Sequence, residues 1–220
     1  MGQTLAKGLH HIVGDPPVVN EEDLLVERRG IVWNIDGTMR SCIYCDYASQ
    51  KAEKKLLYRD DLVCAFYPDR RAAKQHILVI PCHRHVSNVG NLFSTDSHVL
   101  DRMRSVAWDL LKKSGADPSD TQYSFHVPPW NGIDHVHMHA LELPFTSLYT
   151  RAKYAEGKPW CVSFACLREW ILTNSDMPDD EDENSGFAMI KDVDAKPVDF
   201  ETKEELGEEK TIELPAADGA

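Results

Sequence analysis

Three histidines stand at alternate positions in the segment DHVHMHALE, residues 134–142. They are His135, His137 and His139, and apolar residues separate them. This period of two is typical of a β-strand, on which residues i, i+2 and i+4 share one face at about 6.6–6.8 Å per step. The segment therefore predicts a strand with one imidazole face and one apolar face.

The three imidazoles together favour a functional site. A single histidine is more often a structural residue satisfied by a hydrogen bond, but three on one buried face would need several polar partners at once. Imidazole can attack phosphorus, transfer a proton near neutral pH or bind zinc. The outer residues of the triplet are about 13 Å apart, too far for one ion to bind all three on a straight strand. The spacing favours a central nucleophile whose neighbours orient it or bind phosphate.

The net charge is concentrated at the C-terminal end. The chain carries −12 in total, and residues 176–220 contain 16 acidic and 4 basic residues, so residues 1–175 are neutral. The acidic segment has few large apolar residues, and we expect disorder there, with an interaction tail as the alternative. The neutral part lacks the basic excess of a nucleic-acid binder, so we do not expect a nucleic-acid partner.

Apolar content and cysteine usage predict the compartment. No segment approaches the roughly 18 uninterrupted apolar residues of a membrane span, and the N-terminus lacks the apolar core of a signal peptide. Six cysteines in such a chain are expected to be reduced thiols or metal ligands. We therefore expect a cytoplasmic protein, also present in the nucleus, that makes no membrane contact.

Periodicity and turn signals predict short strands with helices between and after them. In NEEDLLVERRG, residues 20–30, an Asn20 cap and a following Gly30 predict a short helix. KLLYRDDLVCAFYP predicts two strands joined by a turn at Arg59–Asp61, and QHILVIP a third strand. Residues 95–114 predict a helix, QYSFHV and HVHMHALEL further strands, and CVSFACLREWILTN an extended start that continues as a helix. This order predicts an α+β domain on a largely antiparallel sheet.

A second pattern is the CxxC pair Cys42 and Cys45 in SCIYCDY. By itself such a pair fits a redox couple, half of a zinc site or coincidence.

The histidine segment resembles a known signature. HVHMHAL is similar to the His-φ-His-φ-His-φ-φ motif of the histidine-triad superfamily of nucleotide hydrolases and transferases, where φ is an apolar residue. LVCAF followed by HILVIP resembles the earlier part of that domain and puts His76 at its separate upstream histidine. SFHVPPWNGIDHVHMH is most similar to the third subgroup of histidine-triad nucleotide-binding proteins and more distantly to aprataxin. The resemblance implies a five-stranded, largely antiparallel sheet with flanking helices.

The resemblance also implies the domain organisation. It covers roughly Ser41 to Asn174. We therefore expect an N-terminal extension with a short helix at 1–40, a histidine-triad domain at 41–175 and an acidic tail at 176–220.

The resemblance implies catalysis through a nucleotidyl-histidine. His137 would attack the α-phosphate of a purine nucleoside phosphoramidate or an acyl-adenylate, and water would then release AMP. His139 and His76 would hydrogen-bond the phosphate or the nucleophile, and His135 completes the expected catalytic set.

The chain departs from that family at two positions. Many relatives have a serine three residues before the triad that can protonate the leaving group, and this chain has Gly132. Protonation would then fall to another residue or to water, and basic amines would leave slowly. The ribose-binding acid of the family falls at Pro68, so the neighbouring Asp69 is the candidate for nucleotide binding.

The resemblance further implies a zinc site and a homodimer. Some relatives bind zinc through CxxC, a histidine after the VIP strand and the first triad histidine. Here these are Cys42, Cys45, His135 and either His83 or His85, of which His85 fits the pattern better. A closed Cys2His2 site would be structural. Relatives commonly pair as two-fold dimers, the commonest closed arrangement.

Three functions of different classes stay open. The leading hypothesis is a nucleoside phosphoramidase that also cleaves acyl-adenylates. An aprataxin-like enzyme that removes adenylate from DNA 5′ ends is the second, and the neutral charge of the domain argues against it. The third is a non-catalytic nucleotide-binding adaptor, against which an intact triad argues.

Overall fold

The structure, a computed structural model, describes residues 26–174. The expected acidic tail at 176–220 and the first part of the N-terminal extension lie outside the described residues. Within the part that is described, no helix is both long and apolar enough to cross a membrane.

The described residues form two antiparallel sheets and four α-helices. The elements follow one another as β1 (Val26–Arg28), β2 (Ile31–Trp33), β3 (Met39–Cys42), α1 (Ile43–Ala48), β4 (Leu56–Arg59), β5 (Val63–Phe66), β6 (Ala73–Pro81), α2 (Ser97–Lys113), β7 (Thr121–His126), β8 (Met138–Phe145), α3 (Leu148–Lys153), β9 (Cys161–Ser163) and α4 (Phe164–Thr173). Strands β1 to β3 form a small sheet, and the main sheet has the order β4-β5-β6-β8-β7-β9.

The main sheet confirms the predicted α+β class and antiparallel pairing, but it has six strands instead of five. The additional strand is β9, which pairs with β7 through Phe125 and Val162. The extended start predicted for CVSFACLREWILTN is therefore confirmed, and so is the helix that follows it. The expected count of five was too low because three residues are enough to continue the ladder at the sheet edge.

The helix predicted for residues 20–30 is wrong where the structure describes that segment. Val26–Arg28 is a strand that pairs with Ile31–Trp33. Arg29 and Gly30 between them have φ values of 50° and 70°, as in a two-residue hairpin turn. A Cβ at Gly30 would lie 2.7 Å from the Ile133 side chain. Glycine is required there by the backbone conformation and by the close approach.

The small sheet belongs to the domain core. The boundary predicted at residue 41 falls inside β3. Ile31 of β2 is fully buried with Phe66 and Leu78 of the main sheet. The fold therefore begins before residue 41.

Alternation along the central strands separates an apolar face from a histidine face. Met138 and Ala140 of β8 lie in the large core together with buried residues of α2 and α4. Leu141, on the other side of the same strand, packs with Tyr154 after α3. The small sheet, α1 and α3 flank that second face, and the candidate site lies between them.

The strand predicted from His135 begins later, at Met138. His135 and His137 belong to the segment that leads into β8. That segment is held by backbone bonds from Asp134 N–H to the Arg29 carbonyl and from Val136 N–H to the Val86 carbonyl, at 3.0 and 2.7 Å. The first of these contacts comes from the β1–β2 turn, so the small sheet supports the segment that carries the histidines.

Candidate active site and metal centre

Three histidines on neighbouring strands form a hydrogen-bonded chain. Nε2 of His76 on β6 lies 3.0 Å from Nδ1 of His139 on β8, and Nε2 of His139 lies 3.0 Å from Nδ1 of His126 on β7. The register places His139 opposite Leu78 and Ser124, which brings the three rings side by side. All three histidines are buried.

The two ends of this chain determine where its protons lie. The Ala72 backbone N–H donates to Nδ1 of His76 at 3.2 Å, so the proton of His76 must be on Nε2 and is donated to His139. At the other end the Lys153 carbonyl, 3.2 Å from Nε2 of His126, can only accept. His139 therefore donates from Nε2 to His126. One set of neutral tautomers satisfies every ring nitrogen.

Burial keeps these imidazoles neutral. It lowers the pKa of His76 to about 3 and that of His126 to about 4, and it holds the pKa of His139 well below its usual range. The positive charge of Lys153 and the neighbouring imidazoles also lower the pKa of His76 and that of His139. At neutral pH each ring carries one proton, as the hydrogen-bonded chain requires.

His137 has the geometry of a nucleophile. Its Nδ1–H donates to the His135 carbonyl at 2.7 Å, which leaves the lone pair on Nε2. Burial lowers the pKa of His137 to about 4, so this lone pair is present at neutral pH. The ring centroids of His137 and His139 are 4.9 Å apart. A neutral, oriented imidazole with a free lone pair can attack an electrophilic phosphorus.

Two tyrosines flank these rings. Tyr44 of α1 meets His135 and His137 edge-on, with centroids 5.8 and 5.4 Å apart. Tyr154 contacts His126 and His139, each at 4.9 Å. Both tyrosines are buried, and they limit the orientations open to the histidine rings.

His126 is a residue of this site that was not predicted from the sequence. It lies in the FHVPP segment, which entered the prediction only as part of the family resemblance. The available signal was the position of His126 on a predicted strand. Its contact with His139, however, depends on the register between two strands, and one histidine in a strand does not reveal that register.

Asp69 and Gly132 mark the two places where the chain departs from the family pattern. The Asp69 side chain is 89% exposed and pairs with Lys54 at 2.7 Å. It lies on the Tyr44 side of the site. Burial raises the pKa of Tyr44, and neighbouring charges, including that of Asp69, raise it further. Gly132 is exposed, and a Cβ added there would meet nothing within 4 Å. The position has room for a side chain but supplies no hydroxyl.

A separate cluster brings together four side chains of the types that can hold a metal ion. They are Cys42, Cys45, His85 and His135, whose ligand atoms all lie within 4.8 Å of one another. Nδ1 of His135 is 3.5 Å from both sulfurs, and Nδ1 of His85 is 3.5 Å from Sγ of Cys45. His85 and not the exposed His83 takes part in this cluster. The ring of His135 therefore lies with the cysteines, apart from the chain formed by His76, His139 and His126.

The protonation states of these side chains are compatible with metal binding. Nε2–H of His135 donates to the Pro81 carbonyl at 3.2 Å, so the lone pair on Nδ1 faces the sulfurs. The hydrogen bond between the two thiols lowers the pKa of Cys42 and raises that of Cys45. A thiolate and an imidazole oriented by a backbone carbonyl, as His135 is, are donors that zinc prefers.

Comparison with known proteins gives a consistent family assignment. Residues 41–155 match the profile of the family described as "Scavenger mRNA decapping enzyme C-term binding". The chain is 35% identical over 125 residues to the Arabidopsis thaliana "Bifunctional adenosine 5'-phosphosulfate phosphorylase/adenylylsulfatase HINT4", covering 56% of this chain and 84% of that protein. It is 34% identical over 129 residues to the Xenopus tropicalis "Adenosine 5'-monophosphoramidase HINT3", covering 56% and 82%.

Among solved structures, a HIT family hydrolase from Legionella pneumophila Philadelphia 1 matches with a TM-score of 0.45 and 24% identity, covering 49% of this chain and 97% of that one. The family match at 41–155 spans both the histidine chain and the cluster of two cysteines and two histidines.

Proposed function

Because the chain belongs to the histidine-triad superfamily, through its match to the scavenger decapping enzyme C-terminal family, we propose that it is a nucleotide hydrolase acting on the α-phosphate of purine nucleotides. The observation that carries this proposal is His137, a buried neutral imidazole whose Nε2 lone pair is fixed by the hydrogen bond from Nδ1. The names of the relatives support it, since two are described as an adenosine 5'-monophosphoramidase and an adenylylsulfatase.

The proposed reaction has two displacement steps. Nε2 of His137 attacks the α-phosphorus, the bond from phosphorus to the leaving group breaks, and the leaving group departs with the electron pair. Water then attacks the phosphorus, breaks its bond to Nε2 and releases AMP, which restores the neutral imidazole. Each step replaces one bond to phosphorus with another, so the overall reaction is a hydrolysis. The charge of Lys153, close enough to lower the pKa of His76 and His139, would stabilise the negative phosphoryl oxygens.

The protonation state of the site restricts the leaving group. Gly132 supplies no hydroxyl, and the histidine chain is neutral at pH 7, so neither is an effective acid. A basic alkylamine must take up a proton as it leaves, whereas sulfate or a carboxylate departs as an anion. We therefore propose that substrates with weakly basic leaving groups are hydrolysed faster than alkylamine conjugates.

A substrate panel tests this function. We expect purified protein to release AMP from adenosine 5′-phosphoramidate and, faster, from adenosine 5′-phosphosulfate. An adenylated DNA 5′ end also has a weakly basic phosphate leaving group, but it should react slowly because the neutral charge of residues 1–175 provides no basic surface for DNA. A diadenosine polyphosphate, whose leaving group is likewise a phosphate, completes the panel. Chromatography of the products would follow AMP directly. Failure to release AMP from any of the four would overturn the proposal, and a preference for adenylated DNA would move the protein to the aprataxin-like class.

The pH dependence follows from the lowered pKa of His137. Its imidazole stays neutral down to about pH 4, so kcat/KM should be constant from about pH 6 to 8 and fall as the pH approaches 4, where protonation removes the Nε2 lone pair. An imidazole with the ordinary pKa of about 6.5 would already lose half its activity near pH 6.5. Stopped assays at fixed ionic strength measure the profile, with tryptophan fluorescence at each pH to verify the fold. A midpoint near 6.5 would contradict the buried, neutral nucleophile.

We further propose that the second cluster binds zinc. The ligands would be Cys42, Cys45, His85 and His135, a closed set that leaves no open position for substrate. The bound metal would connect α1 and the segment after β6 to the residues preceding β8. This role is structural, and the hydrolytic steps proposed above do not use the metal.

The homodimer and the cytoplasmic or nuclear location are also proposals. The dimer is supported by the resemblance to a superfamily whose members commonly pair about a two-fold axis. Light scattering should give twice the mass of the 24.9 kDa chain. A monomeric mass would remove the dimer from the proposal without affecting the chemistry of His137.

A further inference from the structure

The guanidinium of Arg29 joins the β1–β2 turn to the loop that precedes the histidine segment. Its Nη1 donates to the Oδ1 atoms of Asn131 and Asp134 at 3.3 and 3.4 Å. Its Nη2 donates to the Pro129 carbonyl at 2.9 Å. One side chain thus binds three acceptors spread over residues 129–134, which the fixed planar geometry of an arginine makes possible.

Hydrogen bonds within the loop extend this contact toward the histidines. Nδ2 of Asn131 donates to Oδ1 of Asp134 at 2.8 Å and to the Ile133 carbonyl at 3.2 Å. Asn131 is buried, so the loss of the donor to its Oδ1 would leave a costly unpaired acceptor. Asp134 is bound to the turn a second time, because its backbone N–H donates to the Arg29 carbonyl at 3.0 Å. The turn therefore sets the position of Asp134.

Asp134 is bonded directly to the residue that orients the nucleophile. It precedes His135, whose carbonyl accepts the Nδ1–H of His137 at 2.7 Å. On the other side of His135, the backbone of Val136 is bound to Val86. The His135 carbonyl is thus held between two anchors. If the anchor at Asp134 moves, the acceptor that keeps the lone pair on Nε2 of His137 moves with it.

We propose that Arg29 is a positioning residue for the hydrolysis, acting through Asn131 and Asp134 on the orientation of His137. The inference rests on the proposed hydrolase function and adds a residue that lies before residues 41–155, the part of the chain that matches the family profile. Arg29 takes no part in the displacement steps. It fixes the loop so that the lone pair of the nucleophile has its direction before the substrate binds, and a small misplacement of a reacting group is costly.

The kinetics of Arg29→Ala test this role in turnover. Arginine and alanine are similarly disfavoured at the φ of 50°, so the change removes the guanidinium without altering the preference for the turn. We expect kcat for adenosine 5′-phosphoramidate to fall about tenfold and KM to stay within about twofold of the wild-type value, because the orientation of the nucleophile acts on the chemical step. Guanidinium chloride at millimolar concentration should restore part of the lost kcat in Arg29→Ala and leave the wild type unchanged.

Arg28→Ala is the matched control, because Arg28 is the neighbouring exposed arginine and makes none of the three hydrogen bonds to residues 129–134. It should keep the wild-type kcat. Arg29→Lys keeps the charge but lacks the planar set of donors, so its kcat should fall by about threefold. A wild-type kcat in Arg29→Ala would overturn the role. So would an equal loss in Arg28→Ala, or a loss of activity no larger than the loss of folded protein measured by circular dichroism. If Arg29→Ala does not fold, a wild-type kcat in Arg29→Lys would overturn it.

Nitrogen-15 NMR of the histidine rings measures the orientation without any turnover. Wild-type His137 should show the tautomer with its proton on Nδ1, as the bond to the His135 carbonyl requires. Arg29→Ala should show a mixture of the two neutral tautomers, and Arg28→Ala should keep the single one. If the wild type hydrolyses no nucleotide, the hydrolase function fails and this measurement still decides the role of Arg29. A mixture in Arg29→Ala would support it, and a single tautomer protonated on Nδ1 would overturn it.

Discussion

Replacement of His137 by alanine is expected to lower turnover of adenosine 5′-phosphoramidate by at least about 1,000-fold, because it removes the nucleophile of the first displacement. The fold should survive. The change deletes one hydrogen bond, from Nδ1–H to the His135 carbonyl, at a cost of about 1–3 kcal/mol in the free energy of unfolding. Steady-state assays and circular dichroism measure the two effects.

The covalent intermediate gives a second readout of the same prediction. Quenching the wild-type reaction with substrate labelled at the α-phosphate should leave label on the protein, and His137→Ala should retain none. The exposed His98 on α2 provides the matched control, and His98→Ala should keep both label and rate. Turnover near the wild-type rate in His137→Ala would contradict the nucleotidyl-histidine mechanism.

Replacement of Cys45 by serine is expected to remove zinc and to lower the melting temperature by on the order of 10 °C. Cys45 Sγ lies 3.5 Å from both His85 and His135, so its loss opens the proposed tetrahedron between α1 and the segment before β8. Wild-type protein purified without chelator should contain about one zinc per chain by elemental analysis, and Cys45→Ser should contain little.

Cys166→Ser is the control for this experiment, because Cys166 lies on α4 outside the cluster. It should keep the metal and the melting temperature. If the wild-type protein contains no zinc, the cluster is a pair of thiols beside two imidazoles, and the metal proposal fails.

The alternation of HVHMH was sufficient to predict which side chains face the core and which face the site. Met138 and Ala140 are in the core, and His139 is on the opposite face of β8. The separation of His135 from the other histidines could not be obtained from that pattern. It depends on α1 and the residues after β6 coming together at one place, which is a property of the tertiary structure. Only the resemblance to a known family anticipated it.

Gly30 illustrates a local signal with two meanings. A glycine after two arginines is typical of a helix end, and the same residue also allows the positive φ of a hairpin turn. Pairing of Val26–Arg28 with Ile31–Trp33, and the approach of Ile133 to Gly30, select the turn. Such contacts with distant residues are absent from any short window of sequence, so propensity alone could not decide between them.

His135 connects the two sites described above. Its ring lies among the cysteines, while its carbonyl accepts the hydrogen bond that orients His137. If the proposed zinc site is correct, loss of the ion would make His135 more mobile. His135 holds His137 in its reactive tautomer, so the nucleophile would be less well oriented. Hydrolysis would then depend on the supply of zinc to the cell, although the ion never touches the nucleotide.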